Sequence, residues 1–216
     1  MNFFEVFGLP RKLAIDSAEL QRRFYALSRQ HHPDVHQEAA ADERARVLEQ
    51  SARVNAAYRA LKDPIARVEY LIRLEEGRET SEGDETVDGH GTSRSMAVDG
   101  HGMSRSMAKP KAPPELLEEM FEIQEARQAA RAGVLDDATR ATLVEQRERL
   151  MARRADQDAR ITGPLSAAWD AASSPDDRVK TLAAFKSALA TRAYLRTVID
   201  DLGEALDGAD HLTARG

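Results

Sequence analysis

Apolar residues recur every three or four positions over two stretches of this chain, residues 3–74 and 115–206. This spacing is typical of amphipathic helices that bury one face. Ala, Arg, Glu and Leu dominate the long runs, and β-branched residues form few clusters. The pattern therefore predicts an all-α protein with two helical regions joined by a non-helical segment.

The first long helix is predicted to begin after Asp16, which can form a capping box with Glu19. It should end at His31, because Pro33 disfavours helical geometry at the residue before it. Its apolar stripe consists of Leu20, Phe24 and Leu27. The residues on the opposite side, which should face solvent, are Arg22, Tyr25 and Arg29.

A second long helix is predicted over roughly residues 37–61, packed antiparallel to the first. The residues expected along its buried side are Leu48, Asn55, Tyr58 and Leu61. Asp63-Pro64 ends this helix, and Pro64 can take the first position of a further helix that extends to Leu74. The residues of that helix expected in the core are Val68, Leu71 and Ile72.

The turn between the two long helices contains the tripeptide His32-Pro33-Asp34. One interpretation is a proline turn in which Asp34 caps the next helix. Another is an acid–base or metal site formed by His31, His32 and Asp34, although adjacent histidines in a turn rarely converge on one ion. Because no motif places a nucleophile or a Gly-rich phosphate loop, we expect no catalytic residue, no metal and no cofactor.

The helical pattern stops between residues 76 and 113, a stretch that ends in a proline-rich run. It contains an 11-residue tandem repeat, Val87–Ala97 and Val98–Ala108, in which only Thr92 and Met103 differ. The potential metal ligands of the repeat are Asp88, His90, Asp99 and His101. Ordering a Gly-rich loop around an ion carries a large entropic penalty, so the composition favours a flexible linker.

The second helical region predicts three helices in a small antiparallel bundle. The first covers residues 114–132, and the second covers 137–172 with a kink or interruption at Gly163-Pro164. The third begins at Ser174-Pro175, an N-cap followed by proline at the first position, and ends near residue 207. Its apolar stripe consists of Phe185, Leu189, Ile199, Leu202 and Leu206.

Three large apolar residues of this bundle fall outside the predicted core stripes. Leu117 and Phe121 lie beside the stripe of the first helix, next to acidic residues, and Tyr194 lies off the stripe of the third. The stripe of the first helix consists of Leu116, Met120, Ile123 and Ala130. An apolar patch rimmed by acid is a candidate contact surface. The alternative is a wider core stripe, or apolar residues scattered over the surface.

Composition and charge narrow the possible functions. A length of 216 residues allows one or two domains. The net charge of −6 argues against general nucleic-acid binding, although the first long helix carries three arginines against one glutamate. The chain has no cysteine, which excludes disulfides and thiolate chemistry. We recognise neither a signal peptide nor a membrane span, and therefore expect a cytoplasmic protein.

The N-terminal region resembles the J domain, the module that stimulates the ATPase of Hsp70 chaperones. The resemblance rests on the aromatic turn Phe3–Leu9, the cationic helix, His32-Pro33-Asp34, and the segment Val54–Pro64. It implies that His32 and Asp34 are needed for stimulation and that Pro33 holds the loop in shape. It also implies that the cationic helix contacts the Hsp70, through Arg22, Tyr25 and Arg29. Val35 stands where many J domains have lysine.

Both helical regions together are similar to the HscB family, J-domain co-chaperones of iron–sulfur cluster assembly. The matching stretches are Phe3–Leu9, Ser51–Leu74 and Leu116–Glu125. The resemblance implies a J domain at 1–75, a linker at 76–113 and a client-binding bundle at 114–209. The implied partners are an IscU-like scaffold protein and an HscA-like Hsp70, with no role for nucleic acid or membrane. The implied scaffold contacts are Leu117, Glu118, Phe121, Glu122, Glu125 and Tyr194.

Glu118 stands where that family often has methionine, and the linker is unusually long. Three other interpretations remain open at this stage. They are a J-domain protein with a different client, a structural helical adaptor, and a histidine-based enzyme or metal protein.

Overall fold

The computed structural model describes residues 1–32, 35, 40–78 and 136–213, with side chains described as far as residue 207. These ranges contain helices and connecting turns but no β-strand, which confirms the all-α prediction. The N-terminal helices are α1 (Phe3–Val6), α2 (Ser17–Gln30), α3 (Ala41–Lys62) and α4 (Pro64–Glu75). The C-terminal helices are α5 (Asp137–Arg160), a π-helical turn (Ile161–Leu165), α6 (Ser166–Ala171) and α7 (Pro175–Thr213).

The start of α2 is set by Asp16, as the sequence predicts. The Asp16 carboxylate accepts hydrogen bonds from the backbone N–H groups of Ala18, at 2.8 Å, and Glu19, at 3.3 Å. The second half of the expected capping box is absent, because the Glu19 side chain bonds to Arg22 and Arg23 instead. The helix ends at Gln30 with His31 as its C-cap, in agreement with the expected stop.

The buried side of α3 lies one position earlier along the chain than predicted, except at Leu61, which is buried as expected. Val47, Val54 and Leu61, spaced seven apart, face the core together with Ala57. Leu48 is 55% exposed and Asn55 is also exposed, so their predicted burial is wrong. Two neighbouring seven-residue series run along this helix, and the one that packs against α2 is entirely apolar. Tyr58 is half-buried and its ring stacks on Phe24, with ring centroids 4.0 Å apart.

Helix α4 follows the prediction closely. Asp63 caps it by accepting a hydrogen bond from the Ala66 N–H at 2.8 Å, and Pro64 occupies its first position. The predicted core residues Val68, Leu71 and Ile72 are all buried. Two further residues that the sequence did not single out, Arg67 and Tyr70, are buried on this helix as well.

The C-terminal region confirms two of the three predicted helices. A π-helical turn with Pro164 inside it interrupts the second helix at the expected place. Ser174 caps α7 by accepting a hydrogen bond from the Asp177 N–H at 3.1 Å. α7 continues to Thr213, beyond the expected end near residue 207. The predicted first helix of the bundle, 114–132, and most of the predicted linker lie outside the described residues.

Helices α5 and α7 pack together through a separate apolar cluster. Its members are Leu143, Leu150, Tyr194, Leu195, Ile199, Leu202 and Leu206. Tyr194 is only 8% exposed, so the prediction that it lies off the core stripe is wrong. The buried face of α7 is wide enough to include both Tyr194 and its neighbour Leu195, and the narrow stripe inferred from spacing underestimated it.

The larger apolar core is built from both helical regions. The N-terminal region contributes inward-facing side chains of its helices and of the loops between them, and the C-terminal region contributes four buried residues. These four are Ile161, Trp169, Phe185 and Ala188. The N-terminal helices therefore share a hydrophobic core with part of the C-terminal region, while α5 and α7 form their own cluster between them.

Candidate functional site

The outer face of α2 carries the side chains that the sequence assigned to solvent. Arg22, Tyr25 and Arg29 are all exposed, which confirms their predicted orientation. Tyr25 is 54% exposed, and its hydroxyl accepts a hydrogen bond from Gln21 at 3.5 Å. A large aromatic residue flanked by two cations, all open to solvent, is suited to contact another protein.

Arg22 is exposed but engaged with a neighbour on the same helix. It forms an ion pair with Glu19, in which its Nε lies 3.1 Å from Oε2. The hydrogen bonds from Arg22 and then Arg23 lower the pKa of Glu19, and the bond to Glu19 raises the pKa of Arg22. The pair holds the guanidinium against the helix surface, while the side chain stays 69% exposed. Since Arg22 has further N–H donors, it can still bind an acidic partner.

Arg23 has a structural role that its neighbours do not share. Its Nη1 donates hydrogen bonds to the carbonyls of Phe7, at 2.6 Å, and Gly8, at 2.9 Å. Gly8 has a φ of +58°, and a Cβ there would approach Arg23 to 3.3 Å, so glycine suits this turn. Arg23 thus holds the end of α1 on α2, and only Arg22 and Arg29 provide cations on the outer face.

Arg29 lies in the last turn of α2, where its charge is favourable for the helix dipole. The structure records no ion pair for Arg29 within the described part of the chain. His32 lies three residues after Arg29 and is exposed; its N–H donates to the Arg29 carbonyl at 3.4 Å, and its carbonyl accepts from the Val35 N–H at 3.0 Å. His32 thus lies just beyond the C-terminal end of α2, next to the cationic face. Pro33 and Asp34 lie outside the described residues.

The described residues contain no group of three or more His, Asp or Glu side chains able to hold a metal ion. No helix in the described ranges is both long and apolar enough to cross a membrane.

The predicted scaffold-binding residues are mostly outside the described ranges. These are Leu117, Glu118, Phe121, Glu122 and Glu125. Tyr194, the sixth, lies in the core between α5 and α7. Leu48 of α3, which the sequence placed on the buried side of the helix, is exposed instead.

Residues 2–70 match the DnaJ domain family. Over 75 residues the chain is 43% identical to a co-chaperone protein HscB homolog of Vibrio cholerae, covering 35% of this chain and 44% of that protein. Over 76 residues it is 45% identical to the HscB homolog of Haemophilus ducreyi, again covering 35% and 44%. The chain thus matches less than half the length of these curated relatives.

Solved structures similar to this chain include two HscB chaperones. The crystal structure of the human co-chaperone protein HscB has a TM-score of 0.54 and 19% identity, covering 94% of this chain and 81% of that one. The chaperone HscB from Vibrio cholerae has a TM-score of 0.46 and 23% identity, covering 100% and 99%. The human structure supports the fold, an N-terminal J domain followed by a helical C-terminal domain. Residues 2–70 therefore match the DnaJ domain, and over about this part of its length the chain is similar to HscB co-chaperones.

Proposed function

We propose that this protein is a co-chaperone that stimulates the ATPase of an HscA-like Hsp70 and delivers an IscU-like scaffold protein to it. In this role it promotes iron–sulfur cluster assembly and has no catalytic turnover of its own. The observation that carries the proposal is the DnaJ domain, whose exposed cationic helix α2 leads directly into His32-Pro33-Asp34. The names of its relatives support the same role.

The Hsp70 contact is proposed to be electrostatic in origin. Arg22 and Arg29 are exposed cations on one face of α2, with Tyr25 between them. They would match an acidic surface on the Hsp70, while Asp34 would engage a cation of its nucleotide-binding domain. Such contacts accelerate association and fix orientation, and they weaken as salt increases.

The scaffold contact is proposed to involve the predicted first bundle helix. Leu117 and Phe121 form the apolar part, and burial of each would contribute about 1.5–3 kcal/mol before the entropic penalty of association. The acidic residues proposed to surround them are Glu118, Glu122 and Glu125. Tyr194 stays in the proposal, but because it is 8% exposed and packed in the α5–α7 cluster it would act mainly by supporting the surface of α7.

The J-domain role is tested by the ATPase rate of the Hsp70 in single-turnover assays with and without this protein. The intact chain should accelerate hydrolysis, and Asp34→Asn should abolish the acceleration. A structural adaptor would leave the rate unchanged in both cases, which would contradict the proposal. Far-UV circular dichroism of the variant checks that its helices are intact.

The client is tested by calorimetric titration with the scaffold protein. We expect saturable binding by the intact chain and its loss in Leu117→Ala/Phe121→Ala. A second candidate function is a J-domain co-chaperone with a different client, since the curated relatives match only 35% of this chain. Stimulation of the Hsp70 without scaffold binding would favour that candidate.

A further inference from the structure

The junction between the two helical regions has a polar contact in addition to its apolar core. Asp170, at the end of α6, accepts two hydrogen bonds from consecutive backbone N–H groups of the N-terminal region. Its Oδ1 lies 2.8 Å from the Leu13 nitrogen, and its Oδ2 lies 2.8 Å from the Ala14 nitrogen. Both oxygens of the Asp170 carboxylate therefore bind the same loop of the N-terminal region.

The same loop is held from its other side by a buried cation. Arg67 is 5% exposed, and its Nη1 donates a hydrogen bond to the Leu13 carbonyl at 2.5 Å. Its Nε donates to the Leu61 carbonyl at 2.8 Å, which ties the loop to the end of α3. The peptide groups of Leu13 therefore lie between an anion of the C-terminal region and a cation of the N-terminal region. Attraction between the Asp170 carboxylate and the Arg67 guanidinium favours this arrangement.

The loop held by this contact leads into α2. Ala14 lies two residues before Asp16, the N-cap of α2. The loop is therefore the entrance to the helix that carries the exposed cationic face. An ion pair between Glu76 and Lys186 also joins the end of α4 to α7. Because Lys186 is partly exposed and makes one flexible contact, it constrains orientation less than two bonds to backbone.

We infer that Asp170 is a positioning residue that fixes the J domain on the C-terminal helices by binding the Leu13 and Ala14 N–H groups. The shared apolar core brings the two regions together, but apolar packing is not directional. Two hydrogen bonds to consecutive peptide groups are directional, and they restrict the orientation of the loop that leads into α2 relative to α6. This inference concerns the chain alone and does not depend on the identity of the Hsp70 or the client.

The decisive variant is Asp170→Asn in the full-length chain. An asparagine can accept one of the two N–H groups with its oxygen, but its NH₂ group then faces the other donor. The matched control is Asp158→Asn, which removes a carboxylate bonded to Arg192, a contact between α5 and α7 within the C-terminal helices. Both variants change one carboxylate to an amide, but only Asp170→Asn removes hydrogen bonds to the N-terminal region.

Pairs of spin labels measure the distance across the junction. Because the chain has no cysteine of its own, only the two introduced cysteines are labelled. One pair spans the junction, with cysteines replacing the exposed residues Arg59 and Lys180. A second pair lies within the C-terminal helices, at Glu148 and Lys180. We expect a narrow distance distribution for both pairs in the parent chain and a broadened one for the first pair only in Asp170→Asn. Asp158→Asn should leave the first pair unchanged.

Amide hydrogen exchange provides a second readout that needs no label. The Leu13 and Ala14 amides should exchange slowly in the parent chain and about ten-fold faster in Asp170→Asn. The Leu20 amide, bonded to Asp16 within α2, should be unaffected.

Three results would overturn the inference. An unchanged distance distribution across the junction would mean that the apolar core alone fixes the orientation. Faster exchange in both regions, with broadening of the second label pair, would mean that Asp170 only adds stability. Exchange of the Ala14 amide at the free-peptide rate in the parent chain would contradict the contact without any variant.

Discussion

The two sides of the J domain use arginine in opposite ways. On the outer face of α2, Arg22 and Arg29 are exposed, and Arg22 bonds to a neighbouring side chain of the same helix. On the inner side, Arg67 is buried and bonds to two backbone carbonyls. Burial lowers the pKa of Arg67, while the carboxylates of Asp63 and Asp170 oppose this shift.

This difference predicts which arginines affect binding to a partner and which affect the stability of the fold. An exposed cation can be removed with little loss of stability, because water replaces its contacts. Removal of a buried cation that satisfies backbone carbonyls lowers the stability of the fold, because it leaves acceptors without donors. The outer arginines should therefore affect association with an Hsp70, and Arg67 should affect the fold itself.

The largest effect is expected for Arg67→Met. The methionine fills part of the space, but the carbonyls of Leu13 and Leu61 lose their donors. We expect the free energy of unfolding to fall by about 2–4 kcal/mol, measured by urea denaturation followed by circular dichroism. The control is Arg59→Met, an exposed position on α3 where we expect a change below about 0.5 kcal/mol. Equal midpoints for the two variants would refute the distinction between the two sides.

A second pair of variants tests the two sides of α3. Val54→Ala removes two methyl groups from the core and should lower the free energy of unfolding by about 1–3 kcal/mol. Leu48→Ala removes a larger side chain, but because Leu48 is 55% exposed the change should stay below about 0.5 kcal/mol. The same denaturation experiment measures both. A larger loss for Leu48→Ala would return this residue to the core, as the sequence predicted.

These two sides also show what could be predicted from the sequence. Local signals were reliable: Asp16 and Ser174 identify helix starts as N-caps, and Pro64 marks the first position of α4. The outer face of α2 followed from periodicity, since its apolar stripe is unambiguous. On α3, two neighbouring seven-residue series were candidates for the buried side. Which of them is buried depends on how α3 packs against α2, and residue spacing alone does not determine that packing.

The junction could not be predicted, for a different reason. Asp170 and Leu13 are 157 residues apart in the chain, and nothing in either segment indicates that they meet. The burial of Tyr194 was missed in the same way, because the width of the buried face of α7 is determined by α5. Contacts of this kind depend on tertiary packing, and a helical wheel describes one helix at a time.

A third prediction concerns the outer face alone. If the proposed function is correct, Arg29→Ala should raise the concentration of this protein needed for half-maximal Hsp70 stimulation by roughly two- to five-fold at low salt. The difference should disappear at high salt, because exposed charges are screened. Arg59→Ala removes an exposed charge elsewhere on the domain and should have no effect. An equal effect of both variants would mean that only net charge matters.

The smallest effect is expected from the Glu19 carboxylate, whose hydrogen bonds from Arg22 and Arg23 lower its pKa. Since the pKa is lower in the folded state than in the unfolded chain, these bonds add stability at pH values above the unfolded pKa. That contribution is lost as the pH falls through the folded pKa, below the ordinary value of 4.5.

An NMR titration of the Glu19 side chain should therefore give a midpoint below 4.5 in the parent chain. Arg22→Ala should move this midpoint upward, because the bond from Arg22 is the largest cause of the shift. Arg29→Ala, which makes no bond to Glu19, is the control and should leave the midpoint unchanged. A midpoint at 4.5 in all three proteins would mean that Arg22 does not hold Glu19 in solution. Arg22 would then be as free to bind a partner as Arg29, and the outer face would carry two equivalent cations.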